Sequence, residues 1–341
     1  MSSYIKDREK IRARLTALLH EQDLEELALQ IFQFQYKYNP VYQRFCDLLN
    51  RSLENVRFLC DIPYLPISFF KSHQVKSGAW DAEVTFGSSG TTGEKRSLHH
   101  IRDLQFYLNN AEAGFVQFFG ASSQYCVLGY LPGYQERSDS SLIYMVNHLI
   151  SKSDDENSGF YLNRVEELLK VLTNNKIKSI PTILFGVSFA LLKLSKIKID
   201  FPELIVIETG GMKNSQIEVT KQEIIDELKS SWNLNAVFSE YGMTELLSQS
   251  YSTDGKWYET SATKKVLIGE LRDPLAMEKL YKTGIIKVLD LANYDTCSFI
   301  ETEDLGMVNE KGYFQVLGRM DHAELRGCNL LLDDALKDPI R

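Results

Sequence analysis

The sequence predicts an α/β protein with a largely parallel sheet. From Glu83 onward short apolar runs alternate with stretches of helical period, and one run, Leu204–Ile207, is continuously apolar, as a strand covered on both faces should be. The candidate strands, in order, are Tyr125–Leu131, Ile180–Phe185, Leu204–Glu208, Ala236–Ser239 and Ile285–Leu289. Between them Val165, Leu168, Leu169 and Leu172 make one apolar helix face, and Ile224, Ile225 and Leu228 make another. Residues 1–60 read as helical: Asp23 is a good cap, after which Leu24, Leu27, Ala28 and Ile31 recur at helical spacing. Pro40, Pro63 and Pro66 then punctuate the chain, and Asp61–Phe70 reads as an irregular, partly apolar connection. The polar run Ser151–Gly159 is an expected exposed loop.

Composition narrows the function. With 44% hydrophobic and 25% charged residues, the 341-residue chain can bury a real core as one large domain with an appendage, or as two domains. A net charge of −8 argues against nucleic acid as the main partner, yet allows a local basic pocket for one small polyanion. The five cysteines are scattered, with no zinc spacing, so reduced thiols in a cytosolic protein are expected. The N-terminus MSSYIKDREKIRARL is too charged to begin a signal peptide, and no apolar run approaches a membrane span; a cytoplasmic location is expected.

The chemistry concentrates in a few segments. Thr85–Arg96 reads TFGSSGTTGEKR, with Gly87, Gly90 and Gly93 every third residue, hydroxyls at Ser88, Ser89, Thr91 and Thr92, and cations at Lys95 and Arg96. Glycines let successive backbone N–H groups face an anion, hydroxyls add donors and lysine adds full charge, which suits a polyphosphate. The spacing is not a Walker loop, because Thr92 stands where its second glycine belongs, and a flexible linker is the competing reading. Tyr241–Glu245 (YGMTE), just after a candidate strand, offers an aromatic face for a base, a hydroxyl for an oxyanion and a hard carboxylate for Mg²⁺. A turn with a capping threonine and an exposed glutamate would look the same. Thr209–Lys213 (TGGMK) follows the most apolar strand, and Gly210 and Gly211 would admit a flat ring at a strand's carboxyl end. In Ile300–Gly306 (IETEDLG), Asp304 is a carboxylate able to accept from both hydroxyls of a diol, though the segment taken alone favours a solvated acidic turn.

These segments, in this order, resemble the adenylate-forming superfamily. SSGTTGEK resembles its phosphate loop, YGMTE its Tyr-Gly-x-Thr-Glu segment, and TEDLG its Thr-Gly-Asp segment, with Glu303 in place of the glycine; Gly318–Gly327 (GRMDHAELRG) is similar to its hinge. The resemblance implies ATP and Mg²⁺. Ser88, Ser89, Gly90, Thr91, Thr92, Gly93 and Lys95 would hold the β- and γ-phosphates, Thr244 the α-phosphate and Glu245 the metal. Tyr241 and Gly242 with Gly210 and Gly211 would bracket adenine, and Asp304 with Arg319 would fix the ribose. The implied fold is the large N-terminal domain of such enzymes, helices packed on mixed sheets, with the small C-terminal domain nearly absent. Its parts are expected at 1–82 (helical), 83–317 (α/β core) and 318–341 (hinge-like motif and short arm). The lysine that the small domain normally supplies has no clear counterpart, and adenylation would then need another cation, such as Lys95 or Lys213, in its place.

Within the superfamily, Glu324–Leu330 (ELRGCNL) resembles the terminal segment of the acyl-protein synthetases of bacterial bioluminescence. That likeness implies a carboxylic acid substrate, a fatty acid, passed from the adenylate to Cys328 as a thioester and on to a partner reductase or other acyl-accepting protein. A thiolate near Arg319, His322 and Arg326 would be a good nucleophile, whereas a lone cysteine beside leucines is otherwise a small buried hydrophobe. Two rival readings stay open: a coenzyme A ligase of the phenylacetate-activating kind, and a non-catalytic nucleotide or acyl binder. The aromatic stretch Phe106–Phe119 is either an acyl pocket or plain core.

Overall fold

The structure, a computed structural model, describes residues 3–17, 21–89, 95–131, 138–210 and 219–320. Two compact units divide them: one from Met1–Tyr107, Thr244–Ser248 and Thr260–Arg341, the other from Leu108–Met243 and Gln249–Glu259.

The first unit begins with helices α1 (Ser3–Thr16), α2 (Glu21–Tyr38) and α3 (Pro40–Leu48). The helical spacing read in α2 is its buried face, since Leu24, Leu27, Ala28 and Ile31 are all buried. Asn39 starts α3: its side chain accepts from the Tyr42 N–H at 3.0 Å, and Pro40 takes the first turn, where a missing N–H costs nothing. Strand β1 (Leu65–Pro66) and the short helix α4 (Phe69–Ser72) supply the apolar connection. Strands β2 (Val84–Gly87) and β3 (Leu98–Ile101) then pair antiparallel as a two-stranded ribbon, with Gly87 opposite Leu98 at its tip.

After α5 (Leu104–Phe119) the second unit follows as β4 (Cys126–Tyr130), α6 (Ser141–Ser151), β5 (Gly159–Phe160), α7 (Val165–Ile177), β6 (Thr182–Gly186), α8 (Ser188–Leu194) and β7 (Ile205–Glu208). It continues with α9 (Lys221–Trp232), β8 (Val237–Tyr241), β9 (Ser250–Ser252) and β10 (Tyr258–Thr260). Its strands lie in the order β10-β9-β8-β7-β6-β4-β5, parallel from β8 to β5, with β9 antiparallel at the turn back. Four of the five candidate strands are β4, β6, β7 and β8. Leu128, Leu184, Val206 and Val237 from those strands pack with Leu168, Leu172, Ile224, Ile225, Leu228 and Trp232 from the helices, all essentially solvent-free. The two helical faces read from the sequence are thus the core-facing sides of α7 and α9. The aromatic stretch in α5 is core as well: the Phe115 ring lies 6.3 Å from Phe185, and Phe119 lies 5.3 Å from Phe238 and 5.2 Å from Tyr251.

The first unit resumes with β11 (Lys264–Gly269), β12 (Gly284–Asp290), β13 (Phe299–Val308) and β14 (Phe314–Arg319). These pair antiparallel in sequence order, and β1 adds parallel to the start of β13. The fifth candidate strand, Ile285–Leu289, is β12, so it belongs to an antiparallel sheet rather than to the parallel one expected. The reason is connectivity: only residues 291–298 join β12 to β13, too few for the helical crossover that a parallel pair needs. Lys287 and Glu301 face each other across β12 and β13 as a buried ion pair, 3.5 Å apart, with the lysine also donating to the Pro274 carbonyl at 2.6 Å. Burial lowers the Lys287 pKa while the Glu301 charge counters it.

Candidate functional site

The described parts of these chemistry-bearing segments have defined local supports. At the ribbon tip, the Ser88 N–H donates to the Ser97 carbonyl (3.1 Å), the Ser97 N–H donates back to Ser88 Oγ (3.0 Å), and Arg96 Nε donates to the Ser88 carbonyl (2.5 Å). These bonds close the neck of the loop. Ser89 and Lys95, on its two sides, are exposed. Gly90, Thr91, Thr92 and Gly93 lie outside the described residues.

Thr244 and Glu245 sit in a segment of the first unit clamped from several directions. His99, fully buried at the second position of β3, places Nδ1 2.8 Å from the Thr244 carbonyl oxygen. Its Nε2 lies 3.0 Å from both Asn293 Oδ1 and Thr296 Oγ1. Asn293 in turn donates from Nδ2 to the Glu245 carbonyl at 2.7 Å. Next along the chain, the N–H groups of Leu247 and Ser248 donate to Asp290 Oδ2 at 2.7 and 3.0 Å, and Ser248 Oγ donates to Oδ1 at 2.6 Å. Lys264 Nζ holds the Ser248 carbonyl at 3.2 Å. Five consecutive peptide groups are thereby fixed by buried side chains, leaving Thr244 half-buried and the Glu245 carboxylate buried. Burial drives the His99 pKa down to about 4, only partly opposed by its bonds to Thr244 and Asn293, so the imidazole is neutral at neutral pH and its Nδ1–H donates to Thr244. Burial raises the Asp290 pKa against the pull of Ser248 and Lys264.

Asp304 and Arg319, paired from sequence as ribose ligands, are cross-strand partners on β13 and β14. Arg319 Nε lies 3.8 Å from Asp304 Oδ1, and Arg319 Nη2 donates to Glu303 Oε2 at 3.0 Å. Glu303, which replaces the expected glycine, therefore anchors the arginine beside the aspartate.

In the second unit the parallel strands end in a second cluster. Glu208, the last residue of β7, accepts from the Gly210 N–H at 2.5 Å and from Ser188 Oγ. Gly210 has φ +71, a left-handed conformation that favours glycine, and no described atom lies within 4 Å of where a Cβ would be. Tyr241, at the end of β8, is buried, with its ring 5.7 Å from that of Tyr258. At Gly242 a Cβ would stand 2.4 Å from Glu240 Oε1. Lys221, the first residue of α9, places Nζ 3.6 Å from Glu208 Oε2 and 4.5 Å above the Tyr258 ring, and donates to that ring's hydroxyl. A cation at a helix N-terminus opposes the helix dipole, and burial further lowers the Lys221 pKa, so Glu208 is what holds its charge there. Gly211, Lys213 and Cys328 lie outside the described residues.

Sequence reading missed His99, Asn293, Asp290, Lys264, Glu208 and Lys221. His99 and Thr244 are 145 residues apart and Asn293 and Glu245 are 48 apart, so no local spacing could have joined them. Lys221 had one signal, a lysine where helices prefer an acid.

No protein-family model and no curated protein sequence matches this chain. Solved structures do. A 2-hydroxyisobutyryl-CoA ligase in complex with 2-HIB-AMP and CoA superposes with a TM-score of 0.65 at 14% identity, over 89% of this chain and 70% of its own. ATP-bound MatB from Rhodopseudomonas palustris gives 0.53 at 16% identity over 71% of this chain. A long-chain-fatty-acid–CoA ligase from Archaeoglobus fulgidus gives 0.52 at 16% identity over 75%. The chain spans about half the length of the last two, 49% and 54%. What is shared is the fold: this is the mixed α/β architecture of the adenylate-forming acyl-CoA ligases. Among the described residues, no helix is long and apolar enough to cross a membrane.

Proposed function

We propose that the protein activates a carboxylic acid, a fatty acid, as an acyl-adenylate at the expense of ATP, and that Cys328 then takes the acyl group as a thioester for a reductase or other acyl acceptor. The observation that carries the first step is the fold shared with an ATP-bound ligase and with a ligase holding an acyl-adenylate. In that step a carboxylate oxygen attacks the α-phosphorus and the bond to pyrophosphate breaks. Both reactants are anions, so the work of the protein is positioning and charge neutralisation. The Ser88–Lys95 loop holds the β- and γ-phosphates, the Thr244 hydroxyl donates to the α-phosphate, Tyr241 and Gly242 with Gly210–Gly211 bracket adenine, and Asp304 with Arg319 holds the ribose.

Among the described residues no group of three or more His, Cys, Asp or Glu side chains could hold a metal. A single buried carboxylate, Glu245, nonetheless fits Mg²⁺, which characteristically takes few protein ligands and completes its shell with phosphates and water. When bound there it would offset phosphate charge. In the second step the Cys328 thiolate attacks the acyl carbonyl, the bond to phosphate breaks and AMP leaves.

A second reading has its own support: the structural neighbours are CoA ligases, one of them with CoA bound. Under it the acceptor is a soluble thiol and Cys328 is structural. Labelled acid with ATP and Mg²⁺, followed on a denaturing gel before and after hydroxylamine, separates the two. A hydroxylamine-labile acyl-protein supports the cysteine, and brisk transfer to CoA without one supports the ligase.

A further inference from the structure

We propose that His99 is a positioning residue for the candidate phosphate and metal ligands Thr244 and Glu245, acting through Asn293. The inference rests on the adenylation reading of those two residues. Its basis is a continuous chain of hydrogen bonds inside one unit. His99 Nδ1–H holds the Thr244 carbonyl at 2.8 Å, and its proton-free Nε2 and Asn293 Oδ1, both acceptors, share the Thr296 hydroxyl at 3.0 and 2.5 Å. Asn293 Nδ2 holds the Glu245 carbonyl at 2.7 Å. One imidazole thus reaches two successive peptide groups, one directly and one through the Thr296 hydroxyl and the asparagine.

Those two peptides carry the hydroxyl and the carboxylate whose placement matters. The arrangement is fully buried: His99 and Asn293 are at most 1% exposed, and neither side chain can reach substrate. His99 therefore acts by fixing where Thr244 and Glu245 point. The orientation of Asn293 is itself determined. Its amide N–H must face the Glu245 carbonyl, which turns Oδ1 toward His99 and toward the Thr296 hydroxyl, 2.5 Å away. The ring of Phe70, edge-on at 5.5 Å, closes the apolar side of the imidazole. His99 also stands on β3, the strand that continues directly from the glycine-rich loop. The same strand thus carries one arm of the phosphate loop and the anchor of the Thr244–Glu245 segment, which couples the two by covalent connection and one hydrogen bond.

Thermodynamics sets the form of the effect. A residue that holds ligands in a reactive geometry without touching substrate changes the rate at saturation more than substrate binding. The test is acid-dependent ATP–pyrophosphate exchange by the native protein, His99→Ala, His99→Gln, Asn293→Ala and the His99→Ala/Asn293→Ala pair. Each is titrated with ATP and with Mg²⁺, alongside hydrogen exchange of the 244–249 segment. His99→Ala is expected to lower the maximal rate about ten- to a hundredfold, with the KM for ATP changed less than about threefold, on the scale of a lost positioning contact. The Mg²⁺ requirement should rise, and the segment's amides should exchange faster. The double variant should lose little beyond His99→Ala, because both members belong to one chain of bonds. His99→Gln, whose amide can still donate to the Thr244 carbonyl, should recover part of the rate.

An unchanged maximal rate and Mg²⁺ requirement in a folded His99→Ala, even with a lowered melting temperature, would make the histidine merely structural and overturn the proposal. Full additivity of the two substitutions would overturn it as well. If His99→Ala fails to fold, His99→Gln and Asn293→Ala decide the matter on the same readouts. Absence of exchange by the native protein with every acid is a different outcome, which removes the adenylation reading and the positioning role together.

Discussion

Acid titration of stability should expose His99 directly. The imidazole is fully buried and its pKa is held at about 4, against about 6.5 in an unfolded chain. Between those two values the unfolded chain binds a proton that the native protein refuses. Stability contributed by the neutral histidine is therefore present at neutral pH and lost as pH falls through 6.5 toward 4. The gap, at about 1.4 kcal/mol per pH unit, amounts to about 3 kcal/mol by about pH 4. His99→Gln has no such proton. Urea unfolding of native and variant protein, compared at steps between about pH 7 and about pH 4, isolates the histidine, because every other titrating group is common to both, including the half-buried His100 beside it. The native protein should lose about 3 kcal/mol relative to the variant over that range. Stability curves that stay parallel would show that His99 is accessible to protons in the fold, and would refute the buried, neutral assignment.

Four further substitutions test the candidate site and a fifth tests the core. Lys95→Ala should raise the ATP concentration needed for exchange about tenfold, since an exposed cation facing several phosphate charges is lost; identical kinetics at limiting ATP would remove the loop from the site. Asp304→Ala should weaken nucleotide binding about ten- to thirtyfold, measured by calorimetry, while Glu245→Gln should raise the Mg²⁺ requirement and slow the chemistry; wild-type responses in both folded variants would count against the assigned roles. Cys328→Ser should leave exchange nearly intact and abolish the hydroxylamine-labile acyl-protein, an idea that full labelling of the serine variant would end. Trp232→Ala should cost about 3–5 kcal/mol in urea unfolding, because the ring is fully buried and its Nε1 donates to the Ile197 carbonyl; a loss below about 1 kcal/mol would contradict its place in the core.

The parallel sheet was readable because its strands are buried on both faces and carry uninterrupted apolar residues: every residue of β4 and β6 is buried. The helix face of Leu24, Leu27, Ala28 and Ile31 was readable for the same reason, one-sided burial at a fixed period. Of the antiparallel sheet only β12 was read as a strand. In β13 the charges of Glu301, Glu303 and Asp304 interrupt the apolar run, although Glu301 is buried against Lys287 of β12. In the candidate site, the pairing of Asp304 with Arg319 is geometry that motif order implied, and the two do meet across β13 and β14. Glu303, which looked like a departure from the expected glycine, instead anchors that arginine. The clamp on Thr244–Ser248 was unreadable because His99, Lys264, Asp290 and Asn293 come from distant segments, and a lone buried polar residue carries no signature until its partners are known.

Acid-dependent exchange of labelled pyrophosphate into ATP tests the central claim most directly, because it reports attack of a carboxylate on the α-phosphorus without regard to the final acceptor. With Mg²⁺ and a series of acids graded in chain length and aromaticity, the native protein should exchange label with at least one acid, most strongly with a long-chain fatty acid, and should show none when acid is omitted. Tight ATP binding with no exchange for any acid in the series would contradict the account and leave a nucleotide-binding protein without this chemistry.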